Sequence, residues 1–372
     1  MAASPRYFEL DWLRVILILA VFLHHCLMPF NGDDWHIMNT QSSRLLDDAM
    51  VYFEQFRLPS LFFVAGAGAF ILLNKRSPTA FIKDKVTRLL LPLVIGVIFV
   101  VPPQTYIENI NDHASYLKAY PEILLNFDTN HLWFIEFLFV FMLVAIPLHR
   151  LITHGSSQRV LAKISNALIN PYILLVLGGG IGTIRVLLKC VYPENSHSIL
   201  NLSTTLFYLA FFALGMLFLS NLSCWQSLKL NRRTNLCLLA ATSILFYMYY
   251  FIDFSPYFSL QTRWSIWWFL CTLVSWLGLV TVVGYAQQYL SHGAKYLSLS
   301  NELIYPFYIF HQSVIVILGY QIIAMDMPIL GKALLLIATS FILTGLICRY
   351  CIAPFRLFRR MFGLKQKKVE AE

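Results

Sequence analysis

The chain has 372 residues, 58% of them hydrophobic and only 13% charged, with a mean hydropathy of +0.65. Soluble domains carry about one charged residue in four, so this composition excludes an ordinary soluble enzyme and points to a protein that lies in lipid. The formal net charge of +9 does not mark a nucleic-acid binder, because the basic residues sit in short segments between apolar runs, where membrane topology accounts for them.

In chain order, apolar runs predict ten spans, at 12–31, 49–73, 89–106, 132–149, 171–190, 203–221, 235–252, 264–287, 302–324 and 332–353. The connections alternate in charge. Lys75, Arg76, Lys83, Lys85 and Arg88 follow the second span, Arg150, Arg159 and Lys163 the fourth, and Lys229, Arg232 and Arg233 the sixth. The tail holds Arg356, Arg359, Arg360, Lys365, Lys367 and Lys368. The alternate loops are acidic, with Asp33, Asp34, Asp47 and Asp48 in one and Glu108, Asp112, Glu122 and Asp128 in the next. Basic loops mark the cytoplasmic side. The expected fold is therefore an all-α integral membrane protein, a bundle of about ten transmembrane helices with both termini cytoplasmic. It forms one transmembrane domain over residues 1–372, with a basic tail at about 354–372. The first apolar run is longer than a signal-peptide core and lacks a small-x-small cleavage site, so no cleaved leader is expected. Cys348 and Cys351 have redox or zinc spacing, but nothing nearby supplies two more ligands, and no metal site is expected.

Ionisable groups at membrane depth are functional candidates. On the first span, Arg14 and His25 are eleven residues apart, about 16 Å along the helix and within about 20° of one face, whereas His24 points about 100° away. Asp11 is one turn from Arg14 and can pair with it. The stripe suits a ligand entering charged end last, with His25 as a base. The competing interpretation is a headgroup anchor and a packed histidine. Glu54 and Arg57, again three apart, are expected to neutralise each other, as a structural pair or a functional one. Gly66 and Gly68 serve close helix packing or make room for a slender ligand. Lys85 and Arg88 are expected to share a face of a short helix leading to Pro92, a phosphate-friendly pair. Glu136 lies about one turn inside the outer surface, Arg185 and Lys189 share a face near the outer end of the fifth span, and His311 lies at a depth similar to His25. No GxSxG, HExxH, P-loop or dinucleotide fingerprint occurs.

These pieces together resemble the membrane acyltransferase 3 family. The resemblance rests on Arg14, ten residues and then His25, on RLPSLFFVAGA at 57–67, on Lys85-Val-Thr-Arg88, on HLWF at 131–134 and on YPFYIFHQ at 305–312. FELDWLRV and DWHIMN are most similar to the branch that holds the glucan biosynthesis protein C succinyltransferases. The small turn reads Val-Ala-Gly-Ala where many relatives have Ser-Gly, so no hydroxyl is available there. The resemblance implies a multi-pass enzyme of a bacterial inner membrane. It would move an acetyl or succinyl group from cytoplasmic acyl-coenzyme A to a glycan or lipid-linked sugar at the outer face, with no permanently bound cofactor. Arg14, Lys85 and Arg88 would hold the coenzyme A phosphates, and His25 would act as base. Asp11, Glu54, Arg57, Glu136, Arg185 and His311 would support it or meet the acceptor. The alternative is a sugar or small-molecule exporter with charges along its path, against which stands the absence of an inverted repeat.

Overall fold

The computed structural model describes residues 6–194 and 196–366. Lys367 and Lys368 of the basic tail lie outside the described residues. In chain order the helices are α1 (Phe8–Asn31), α2 (Arg44–Leu73), α3 (Pro78–Lys85), α4 (Leu91–Phe99), α5 (Val101–Glu108), α6 (Tyr116–Asn126), α7 (Trp133–Thr153) and α8 (Gly155–Ala167). They continue with α9 (Pro171–Val191), α10 (Leu202–Ser220), α11 (Leu222–Leu230), α12 (Arg232–Phe251), α13 (Leu260–Tyr289), α14 (Leu297–Ile323), α15 (Ile329–Leu346) and α16 (Arg356–Met361). Two π-helical turns, Val86–Leu90 and Ile347–Ile352, interrupt the third and tenth spans. Among the described residues, ten segments are long and apolar enough to cross a bilayer, and they coincide with the ten predicted spans. The protein is an all-α, multi-pass integral membrane protein.

In lipid every backbone polar group must be bonded within the protein, so the chain answers its apolar runs with helices. Asn side chains close several open N-termini: Asn170 accepts from the Tyr172 N–H, Asn201 from Thr204 and Asn221 from Cys224. Proline punctuates the third span, where Pro92 opens α4 and Pro102 opens α5. Many large apolar side chains remain exposed, among them Val176, Ile184, Ile244 and Leu245, and these suit a lipid-facing surface.

The chain divides into two compact units. The first takes its described residues up to Leu17, then 52–81 and 140–294. Its centre is Trp276 of α13, fully buried, whose indole N–H donates to the Leu174 carbonyl of α9 at 2.7 Å. Phe211 and Phe218 of α10 pack edge-on against its ring. Helices α2 and α10 cross at two glycines. A Cβ on Gly66 would overlap the Phe212 carbonyl oxygen, and one on Gly215 would overlap that of Phe63. Gly66 therefore serves packing. Gly68 has nothing within 4 Å of such an atom.

The second unit comprises residues 18–51, 82–139 and 295 onward. Phe22 of α1, Phe307 of α14 and Phe341 of α15 form a ring cluster, with centroids 5.3 to 6.0 Å apart. The break between α6 and α7 places Phe127 and Asn130 in the left-handed region, at φ 40° and 45°. Asn130 tolerates this because its side chain bonds locally, accepting from the His131 N–H at 2.8 Å.

Two neighbouring glycines should thus differ in effect. Gly66→Ala drives a methyl group into backbone and should cost about 1–3 kcal/mol. Gly68→Ala should be neutral or slightly stabilising, since Ala is the better helix former. Thermal unfolding of the purified protein in one detergent would show the difference, and equal behaviour of the two variants would contradict the packing described.

Candidate active site

In the second unit, α1 carries His25 against His311 of α14. His25 Nδ1 lies 3.0 Å from His311 Nε2, and the two rings stack at 5.1 Å with an interplanar angle of 3°. His311 is 1% exposed, and its other nitrogen, Nδ1, lies 2.6 Å from the Tyr308 carbonyl oxygen. A carbonyl only accepts, so His311 Nδ1 must carry the hydrogen. In the neutral ring Nε2 is then a lone pair, and it accepts from His25 Nδ1–H. His25 in turn presents its lone pair on Nε2. One backbone carbonyl thereby sets two tautomers, assigned here from the acceptors each nitrogen faces.

A buried network holds this pair. The Tyr308 hydroxyl donates to the His131 carbonyl. His131, 5% exposed, directs Nε2 at the Ile309 carbonyl at 3.0 Å, and its Nδ1 lies 3.5 Å from the Gln104 amide nitrogen. The Ser313 hydroxyl donates to the Val100 carbonyl at 2.5 Å and to Gln104 Oε1 at 3.3 Å. Beyond it, the segment after α1 lays the Trp35 ring 6.2 Å from that of His25. His36 Nδ1 meets Glu108 Oε2 at 2.7 Å, and the Gln312 amide nitrogen reaches His36 Nε2 at 3.0 Å and Asn130 Oδ1 at 2.7 Å. Glu136, at the start of α7, bonds the Thr129 side chain.

The basic segment before α4 also belongs to this unit. Lys83, Asp84, Thr87, Arg88, Arg356 and Arg360 line a cavity of about 640 Å³, a size that holds a small-molecule ligand. Asp84 binds Arg88 Nε at 3.1 Å and lies 3.6 Å from Lys85 Nζ. Lys85 does not line the cavity. It is 9% exposed and shares the Asp84 carboxylate with Arg88, while the chain from Val86 to Leu90 forms a π-turn. Lys83 occupies the cavity wall instead. The tail is fixed from behind by Arg359, 3% exposed. Its Nη2 meets Glu302 Oε1 at 2.6 Å, its Nη1 the Ala353 carbonyl at 2.9 Å, and its Nε the Lys365 carbonyl at 2.9 Å. Gly363, at φ 72°, lies where a Cβ would come within 2.8 Å of the Arg88 carbonyl oxygen. The loop before the third span and the tail after the tenth therefore share one side, as the charge alternation requires.

The remaining candidates belong to the first unit. Arg14 Nη1 lies 3.9 Å from Asp11, which also binds Arg6 at 2.8 Å, and the Arg14 side chain is 42% exposed. Arg185 stacks on Phe207 at 3.9 Å and Trp268 at 4.7 Å, and Arg57 lies within the electrostatic reach of Glu54 and Tyr208. The structure thus joins His25 to His311 and Arg88 to a cavity. His131, Trp35, His36, Glu108, Arg356 and Arg360 escaped the sequence reading as site residues. HLWF and DWHIMN were the available signals for the first three.

The fold defines a multi-pass membrane protein with a buried histidine pair, and comparison with known proteins supplies its class. A family model described as an acyltransferase domain matches residues 7–352, and the chain belongs to that family. It is 27% identical over 227 residues to Glucans biosynthesis protein C of Shigella dysenteriae serotype 1 (strain Sd197), and 27% identical over 225 residues to the protein of that name from Escherichia coli (strain K12). The match spans 58% of this chain and 58% of the length of each relative. No solved structure matches.

The Arg359 anchor makes a direct prediction. Losing a buried, multiply bonded guanidinium costs about 3–5 kcal/mol locally. Arg359→Ala should free the tail, so that trypsin cuts after Arg356 or Arg360 while the wild-type tail stays intact. Equal resistance in both proteins would contradict the anchor.

Proposed function

We propose that this membrane acyltransferase moves an acyl group, acetyl or succinyl, from cytoplasmic acyl-coenzyme A to a hydroxyl of a glycan or lipid-linked sugar at the outer face. The observation that carries the reading is the His25–His311 pair, in which a fixed tautomer leaves His25 Nε2 with the lone pair a base requires.

The step balances as a simple transfer. His25 Nε2 takes the proton of the acceptor hydroxyl, and its oxygen forms a bond to the thioester carbonyl carbon. The tetrahedral intermediate collapses with cleavage of the carbon–sulfur bond. The imidazolium then returns its proton to the leaving sulfur, so the products are an ester and coenzyme A. While His25 is charged, His311 Nε2 continues to accept its Nδ1–H and stabilises the cation, as the third member of a triad does. His311 is a positioning residue in this scheme.

The donor's phosphates suit the cavity with Lys83, Arg88, Arg356 and Arg360 on its wall, where charge-assisted bonds replace hydration. Arg14, whose helix also carries His25, and the buried Lys85 are further candidates for holding that donor. Glu54, Arg57 and Arg185 of the first unit and Glu136 of the second are separate candidates for polar contact with the acceptor.

Turnover of acyl-coenzyme A by purified variants tests the reading. His25→Ala should lose about 10²–10⁴-fold in rate, with donor affinity retained. His311→Ala should lose less, about 10–10²-fold, and shift the pH–rate profile, because orientation and tautomer are lost while the base remains. His24→Ala should stay within about twofold, because the bond to His311 is made by His25 and the His24 ring only neighbours that of His25, at 5.9 Å. Arg88→Ala should weaken donor binding, by about 1–3 kcal/mol. Full activity in folded His25→Ala would remove the proposed base.

A further inference from the structure

Arg57 is an unusual residue in the first unit. It is 9% exposed, and its Nε and Nη1 atoms have no hydrogen-bond partner. A buried guanidinium with unmade bonds is costly unless a ligand supplies the acceptors. Its neighbours sharpen the point. Helix α2 is pinned to α13, where the Ser275 hydroxyl donates to the Gln55 carbonyl at 2.6 Å and Gly278 receives the Phe56 ring. One turn along that face of α13, Thr272 Oγ1 accepts from Arg185 Nη1 at 3.3 Å. One turn further, Trp268 lies 4.7 Å from both the Arg185 guanidinium and Lys189 Nζ. Arg57 and Arg185 both feel the Glu54 carboxylate, and Arg185 in turn neighbours Lys189, whose Nζ donates to the Glu194 carbonyl at 2.7 Å. The positive field reaches the loop between α9 and α10. There, loss of hydration first, and then the charges of Arg57 and Lys189, hold the His197 imidazole below its ordinary range.

We infer that Arg57, Arg185 and Lys189 form an oxyanion subsite for a phosphate or carboxylate carried on a saccharide. The Arg57 guanidinium offers unmet N–H donors on Nε and Nη1 to the oxygens of such a group, while Arg185 stacks on Phe207 and adds a second fixed positive charge. The saccharide is favoured by what lies beside the cations. Trp264, 48% exposed, stacks on Trp268 at 6.1 Å and 24°, and offers an indole face of the kind that the C–H face of a pyranose covers. The inference rests on the reading that the protein acylates a saccharide, and names that saccharide as anionic.

The test is equilibrium binding to the full chain in phosphatidylcholine nanodiscs, followed by tryptophan fluorescence, with glucose 6-phosphate, glucuronate and glucose as probes. Both charged sugars should bind saturably and glucose at least tenfold more weakly. Arg57→Gln and Arg185→Gln should each weaken the charged sugars at least tenfold and leave coenzyme A binding unchanged, with Lys189→Gln standing in if either fails to insert. The titration needs no acyl transfer. His25→Ala should bind the sugars as wild type does, so a failure of the transferase reading is seen separately. Equal binding of glucose and glucose 6-phosphate, no saturable binding to wild type, or indifference to all three substitutions would overturn the subsite. Competition by phosphatidylglycerol nanodiscs alone, with no sugar bound, would assign the cations to a lipid headgroup and overturn the saccharide.

Discussion

A histidine ring buried in a membrane protein must find partners for two nitrogens of opposite character, and here a single backbone carbonyl decides how both are met. The Tyr308 carbonyl oxygen, 2.6 Å from His311 Nδ1, compels that nitrogen to donate. Everything downstream is forced by valence: His311 Nε2 accepts, His25 Nδ1 donates, and His25 Nε2 holds the lone pair. The carbonyl is as rigid as α14 itself, so the tautomer is built into the helix and needs no buried carboxylate. That choice suits the setting. An ionised aspartate in the same place would carry a heavy desolvation cost, whereas a neutral imidazole orients its neighbour at little cost.

The surrounding packing protects this arrangement. Phe22 and Phe307 flank the His311 ring, at centroid distances of 6.4 Å each, and keep it from rotating. The Tyr308 side chain ties α14 to His131 and thence to the start of α7. Ser313 and Gln104 extend the tie to the third span. Each polar atom there has a named partner, which is the condition under which a buried network rigidifies a site. Arg57 is one of the buried groups that depart from that rule, and the proposed anionic ligand would meet its open donors.

Much of the fold was legible in the sequence because lipid enforces a simple rule: an apolar run of sufficient length becomes a helix. All ten spans and the shared side of the 83–88 segment and the tail followed from length and charge. Helical phase set His25 apart from His24 in the sequence, and in the structure it is His25 that bonds His311. What stayed hidden depends on contacts between segments distant in sequence. His131 and His36 look like loop histidines until Ile309 and Gln312, some 180 and 280 positions away, are folded against them. Lys85 and Arg88 were paired by spacing, and in the structure both reach the Asp84 carboxylate, but only Arg88 lines the cavity. Gly66 was open to two readings, and the Phe212 carbonyl decided for packing. Arg356 and Arg360 looked like ordinary tail charges until Arg359 and Glu302 showed how the tail is held.

The tautomer of the histidine pair is read directly by nitrogen NMR of the protein labelled with ¹⁵N-histidine in nanodiscs, with His25→Ala and His311→Ala supplying the assignments. The expected result is a neutral His25 protonated on Nδ1 with an unprotonated Nε2, a His311 protonated on Nδ1, and a His25 that becomes a mixture of tautomers in His311→Ala. A His25 protonated mainly on Nε2 in the wild type, or unaffected by loss of His311, would contradict it.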